Sequence, residues 1–231
     1  MSDTGVAGNV LDVEKIRKDF PILSQSVRGK PLIYLDNAAT THKPISVIER
    51  VRNFDAEKYG TVRRGTYKLS EHATQLYEEV RQKVADFMGA EKKGEIVFTS
   101  GTTQAINLVA HSFGKRFVNE GDEIIISNIE HHANIVPWQV LCEERGAKLK
   151  VIPVDDDGEL VMEEYEKLLS PKTRMVAVNH VSNALGTINP IKEITQKAHA
   201  VGARVLIDGA QSTPHIKLDV RDIDCDFYTF S

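Results

Sequence analysis

Val205-Leu-Ile-Asp208-Gly-Ala-Gln211, followed at the end of the sequence by Asp226-Phe-Tyr-Thr-Phe-Ser231, decides the fold. Arg204 to Ile207 is a short, β-branched apolar run that stops in Asp208-Gly209, the pattern of a buried strand ending in a turn. A carboxylate is thereby placed at the carboxyl end of a strand, where open α/β sheets bind their ligands. A second apolar run, Phe227 to Phe230, brings Ser231 to the same edge.

Working back from these two strands, helical and strand patterns alternate. Ile96–Thr99, Glu123–Ser127, Leu149–Ile152 and Met175–Val178 read as strands. Between and after them, Thr103–Phe117, Ala133–Arg145, Met162–Leu169 and Ile191–Val201 read as helices, with Gly146 and Gly202 placed as stops. Upstream, Asp12–Phe20 predicts a short helix carrying Val13, Ile16 and Phe20 on one side. Val47, Ile48, Val51 and Phe54 mark the apolar face of a second helix. Leu76, Val80, Val84 and Phe87 mark a third, which Gly89 ends. The alternation predicts an α/β fold, a mostly parallel sheet with helices on both faces.

Composition narrows the function. The chain has 231 residues, 41% hydrophobic and 27% charged, with a net charge of -4. No basic field favours nucleic acid or an anionic membrane surface. No apolar run approaches the roughly 20 residues needed to cross a bilayer, and Met1–Asn9 lacks the basic start and apolar core of a leader. A cytoplasmic protein handling small molecules or protein partners is expected. The two cysteines, Cys142 and Cys225, are far apart and read as small core residues rather than a disulfide or metal pair.

Each remaining strand-end loop carries chemistry. Ser100-Gly-Thr102-Thr103 stands between a strand and a helix, so helix N-terminal amides, hydroxyls and the positive end of the dipole converge there. An ordinary N-cap with a glycine turn would read the same way. Glu130-His131-His132-Ala-Asn134 lacks the spacing of a metal site. One imidazole can stack on a flat ring and exchange protons near neutral pH, or simply open a helix. Asn183, in Ser182-Asn-Ala-Leu-Gly-Thr187, offers a donor and an acceptor to a hydroxylated ring, as any turn asparagine does. Asp208 could hold a protonated pyridine nitrogen. Together, five successive loops supply phosphate donors, an imidazole, an amide, a carboxylate with Gln211, and the Ser231 hydroxyl.

These residues carry a family resemblance. Tyr34-Leu-Asp-Asn-Ala-Ala-Thr40, Gly101-Thr-Thr103, Glu130-His-His-Ala-Asn-Ile-Val-Pro-Trp-Gln139, His180-Val-Ser-Asn183 and Asp208-Gly-Ala-Gln211 resemble the class V, fold-type I pyridoxal-phosphate enzymes. The Glu130 to Trp138 string resembles the SufS-type cysteine desulfurases in particular. The resemblance implies that Thr102, Thr103 and Ser231 hold the phosphate of pyridoxal 5'-phosphate and that His131 stacks on its ring and assists proton transfer. It also implies that Asn183 and Gln211 contact the ring substituents and Asp208 its nitrogen. The implied activity converts L-cysteine to L-alanine and passes the sulfur, as an enzyme persulfide, to an acceptor protein of iron-sulfur cluster assembly. Selenocysteine lyase chemistry and a homodimer are implied as well.

The resemblance further implies an N-terminal arm over residues 1–30 associated with a C-terminal small domain, and a cofactor-binding large domain over 31–231 that is incomplete here. Ser231 matches the serine of the family's Ser-Gly-His-Lys segment, so the lysine and the nucleophilic cysteine would lie beyond it and the chain alone would be inactive. Arg63-Arg64-Gly65 departs from the family's His-Arg-Gly. The alternatives are another class V enzyme, a cysteine-sulfinate desulfinase or an aminotransferase, and a non-catalytic chain that acts only as a binding partner.

Overall fold

The structure, a computed structural model, describes residues 11–231. The chain folds as two compact units, Met1–Tyr77 and Glu78–Ser231. The arm expected at residues 1–30 stays a proposal, and its first ten residues lie outside the described part.

In the first unit, α1 (Val13–Arg17) starts at Asp12, whose side chain accepts the Lys15 amide at 3.0 Å. It is shorter than the expected Asp12–Phe20 helix because Pro21 opens a separate 3₁₀ turn, Pro21–Ser24. Strands β1 (Ser26–Val27) and β2 (Lys30–Pro31) form a small antiparallel hairpin. Helix α2 (Ile45–Glu57) follows, with none of its residues buried; Val47, Ile48 and Val51 are all exposed. The apolar pattern specifies the helix locally, but covering it takes a surface that the described residues of this unit do not supply. Arg63 adopts a left-handed φ of 81°, and its guanidinium sits 5.6 Å from the centre of the Tyr77 ring. The division between the units falls within α3 (Lys68–Met88).

The second unit is built on one parallel sheet. Helix α4 (Thr102–Val109) continues through a π-turn, Ala110–Gly114, into α5 (Lys115–Phe117), so the single expected helix carries a bulge. Then come β3 (Glu123–Ser127), a 3₁₀ turn His132–Asn134 and α6 (Val136–Arg145), which Gly146 ends. These are followed by β4 (Lys148–Ile152), α7 (Met162–Leu168), β5 (Thr173–Asn179), α8 (Ile191–Ala200), β6 (Arg204–Asp208), α9 (Val220–Ile223) and β7 (Phe227–Thr229). The sheet order is β4-β3-β5-β6-β7, and all four pairings are parallel.

Alternate residues of the central strands feed two cores, as the strand period of two requires. Ile125, Val176, Val178, Val205 and Ile207 pack with Tyr165 of α7 and with Ile194 and Ala198 of α8. Ile124, Ile126, Met175, Ala177 and Leu206 pack on the other side with Ile106 of α4 and with Trp138 and Leu141 of α6. Both faces are covered, which explains why these strands read as unbroken apolar runs. One expected strand fails to appear: Ile96–Thr99 joins no β-ladder among the described residues, and Val97 is exposed. Strand propensity alone cannot make a strand without a register partner.

The chain passes from β3 outward to β4 and returns to β5 on the other side of β3. The carboxyl ends of β3 and β5 therefore flank the point where the winding direction reverses, the position at which such sheets form a ligand crevice. Among the described residues, no helix is long and apolar enough to cross a membrane.

Candidate active site

Helix α4 begins at Gly101, whose φ of 135° suits glycine and whose absent Cβ would stand 3.4 Å from Ser231 Oγ. The close approach has a use. The Thr102 amide donates to Ser231 Oγ at 3.0 Å, and the two hydroxyls are 2.8 Å apart. Thr102 is buried and Thr103 exposed, while the amides of the first turn have no intrahelical acceptor. Ser100 is withdrawn from this cluster, since Gln104 Oε1 accepts both its amide and its hydroxyl. Thr102 and Ser231 thus form an anion-suited corner at the positive end of α4, with Thr103 one residue further along.

Asp208 ends β6 as a buried residue, and its Oδ1 accepts the Ala210 amide at 3.0 Å. Burial pushes its carboxyl above the ordinary carboxylate range, opposed by the Ala210 N–H and by the positive charge available on His131. A desolvated carboxylate of this kind gains from a cationic N–H partner. The turn behind it is tightly built: a Cβ on Gly209 would stand 2.0 Å from Tyr228 Cε1. The Tyr228 hydroxyl meets Ser212 Oγ at 2.6 Å and His180 Nδ1 at 2.9 Å, and the His180 amide donates to the Asp208 carbonyl. His180 thereby ties the Asp208 backbone to the Tyr228 and Ser212 hydroxyls behind Gly209.

His131 is exposed at the entrance to the 3₁₀ turn, and its Nδ1 accepts the Ala133 amide at 3.1 Å. With Nδ1 an acceptor, the neutral ring carries its proton on Nε2. Asn183 is exposed on the loop after β5 and makes no hydrogen bond among the described residues; Gln211 is half-buried just after Asp208. A cavity of about 380 Å³ is lined by Thr103 and His131 together with Asn107, His111 and Val136. It does not reach Asp208, Asn183, Gln211 or Ser231. The structure thus joins Thr102 to Ser231 and sets Thr103 and His131 on one cavity wall. Asn183 and Gln211 lie on the same edge of the sheet. Taken together, these donors suit a phosphate monoester carried by a protonated heteroaromatic ring.

The Aminotransferase class-V family profile matches residues 33–231. The chain belongs to that family. A cysteine desulfurase of Dickeya dadantii is 54% identical over 219 residues, covering 95% of this chain and 53% of the relative. The solved apo cysteine desulfurase of Thermococcus onnurineus NA1 superimposes with a TM-score of 0.87 at 41% identity, covering 95% of this chain and 52% of that one. The cysteine desulfurase CsdA of Escherichia coli, in an S-sulfonic acid form, gives 0.85 at 36% identity, covering 96% and 55%. The chain spans about half the length of these relatives. Its fold is α/β, a parallel sheet with helices on both faces, shared with solved cysteine desulfurases of this family, as the sequence led us to expect.

Proposed function

We propose that this class V chain forms the pyridoxal 5'-phosphate cradle of a cysteine desulfurase, an enzyme that converts L-cysteine to L-alanine and delivers the sulfur to an acceptor protein. The observation that carries the reading is the buried Asp208 carboxylate on the same sheet edge as the Thr102–Ser231 corner, with His131 close enough to bias its charge. Thr102 and Ser231, through their hydroxyls, and Thr103 would hold the phosphate. Asp208 would keep the proton on the ring nitrogen, while Asn183 and Gln211 would orient the ring substituents. When bound, the cofactor supplies an electron sink for the substrate's Cα electrons. His131 would cover the ring and offer its Nε2 proton on the substrate side. The family's homodimer, its iron-sulfur role, a cytoplasmic setting and any action on selenocysteine belong to the same proposal.

Cradle and chemistry can be tested separately. Titration of the chain with pyridoxine 5'-phosphate, which cannot bond covalently to a lysine, should give saturable binding. Asp208→Asn should weaken that binding by about tenfold or more, the scale of one lost charge-assisted contact. No binding, or binding indifferent to Asp208, would remove the cradle. In the protein as its gene encodes it, L-cysteine with a thiol reductant should yield equimolar L-alanine and sulfide. Faster turnover of L-cysteine sulfinate would turn the reading to a desulfinase.

A further inference from the structure

We propose that Glu130 is a positioning residue: its buried carboxylate ties the ends of β3 and β5 together and, through Asn134, sets the pose of the His131 ring. The proposal rests on the reading that His131 covers a ring ligand.

Glu130 lies at the point where the sheet reverses its winding, and only 8% of its surface is exposed. Oε1 accepts from Ser127 Oγ, from the Asn179 amide at 2.9 Å and from Asn179 Nδ2 at 3.1 Å; Oε2 accepts from Asn134 Nδ2 at 2.7 Å. The Asn179 amide can only donate, and the orientations of the Asn134 and Asn179 side-chain amides are fixed by their other partners. Trp138 Nε1, which can only donate, fills Asn134 Oδ1 at 2.9 Å and leaves Nδ2 for Glu130. Asn179 is oriented likewise, its Oδ1 accepting from Asn189 Nδ2 at 2.7 Å and its Nδ2 also donating to the Ile129 carbonyl. Three N–H donors and one hydroxyl thus converge on this carboxyl group.

The connection to His131 is short. The Asn134 amide donates to the His131 carbonyl at 2.7 Å, closing the turn in which Ala133 N–H reaches His131 Nδ1. Fixing Asn134 fixes that turn, and the turn fixes both the backbone and the tautomer of His131. Burial pushes the Glu130 carboxyl up to about 7, and the charge of Asp208 adds to the rise, against the pull of Ser127, Asn134 and Asn179.

Glutamine keeps the shape of Glu130 but turns a donor toward Asn134 Nδ2. Asn134→Asp then restores the pairing with donor and acceptor exchanged, while still accepting from Trp138. Three proteins, wild type, Glu130→Gln and Glu130→Gln/Asn134→Asp, are compared by the ring-nitrogen NMR shifts of isotope-labelled His131 and by affinity for pyridoxine 5'-phosphate. In Glu130→Gln the ring nitrogens should move from the Nε2-protonated pattern toward a tautomer mixture, with affinity roughly tenfold weaker, and the double variant should recover both. Should Glu130→Gln fail to fold, Trp138→Phe releases Asn134 with the carboxylate kept, and the same shift is expected. A folded Glu130→Gln or Trp138→Phe protein with wild-type His131 shifts would overturn the proposal, whatever it did to stability. A wild type that binds no pyridoxine 5'-phosphate, but whose His131 signals respond as stated, would leave the positioning role standing and remove the cofactor reading. Binding that is intact in the wild type and unaltered by Glu130→Gln, with unchanged shifts, would do the reverse.

Discussion

Ser231 Oγ accepts the Thr102 amide at 3.0 Å across 129 residues of sequence, joining the tip of β7 to the start of α4. The contact brings a hydroxyl to a helix N-terminus that has no side-chain cap of its own. Ser231→Ala leaves the Thr102 amide and hydroxyl without that partner. We expect about 1 kcal/mol of lost stability in urea unfolding and several-fold weaker binding of pyridoxine 5'-phosphate, with no change in binding of unphosphorylated pyridoxine. Equal losses for both ligands would show that Ser231 does not face the phosphate.

Gly209 and Tyr228 make a steric prediction. A methyl group added at Gly209 would stand only 2.0 Å from Tyr228 Cε1, so Gly209→Ala must displace the ring that bonds Ser212 and His180. A cost of about 2–4 kcal/mol is expected from overpacking and broken hydrogen bonds. Tyr228→Leu in the Gly209→Ala background should recover part of it. An unchanged urea midpoint for Gly209→Ala would contradict the packing described.

Glu130 makes the stability depend on pH. Its carboxyl is raised from 4.5 to about 7 in the folded protein, so the folded state holds a proton that the unfolded chain has released. That contribution is fully present below about 4.5 and is lost as pH rises through about 7. Asp208 acts in the same direction. The stability difference between wild type and Glu130→Gln should therefore shift against the wild type across this window. Trp138, the single tryptophan and fully buried, supplies the unfolding signal. A difference that stays flat with pH would mean that Glu130 titrates as it does in water.

The two cysteines should be chemically quiet. Burial pushes the Cys142 thiol up to about 11 and the Cys225 thiol up to about 12. The thiolate is the reactive form, so native-state labelling by a thiol reagent near neutral pH should run at least roughly tenfold slower than for a free thiol. Cys142→Ala and Cys225→Ala should leave sulfur release in the gene-encoded enzyme largely intact. Rapid stoichiometric labelling of either residue, or loss of turnover in either variant, would make it a candidate nucleophile.

The candidate residues were legible in the sequence where they are written locally. Asp208 at the end of an apolar run, Gly101 before two threonines and the imidazole after β3 are features of a few adjacent residues; Asp208 ends β6 and His131 follows β3 as expected, whereas the strand expected before Gly101 does not form. Tyr228 beneath Gly209, and Asn179 and Asn134 on Glu130, were not legible, because each contact depends on how strand register and turn geometry bring the residues together. The Ile96–Thr99 run shows the same limit from the other side: its composition is that of a strand, but a strand exists only with a ladder partner.

The sequence by itself determined the alternation of strands and helices and most of their approximate ends, since periodicity, caps and turn residues act over one or two turns of chain. Only the tertiary structure decided the strand order that places Glu130 at the winding reversal, the closure of Ser231 onto Thr102, and the convergence of Asn179 on the Glu130 carboxyl group. Those depend on long-range register and on burial, which raise the value of a hydrogen bond and the cost of an unpaired charge in ways no local pattern records.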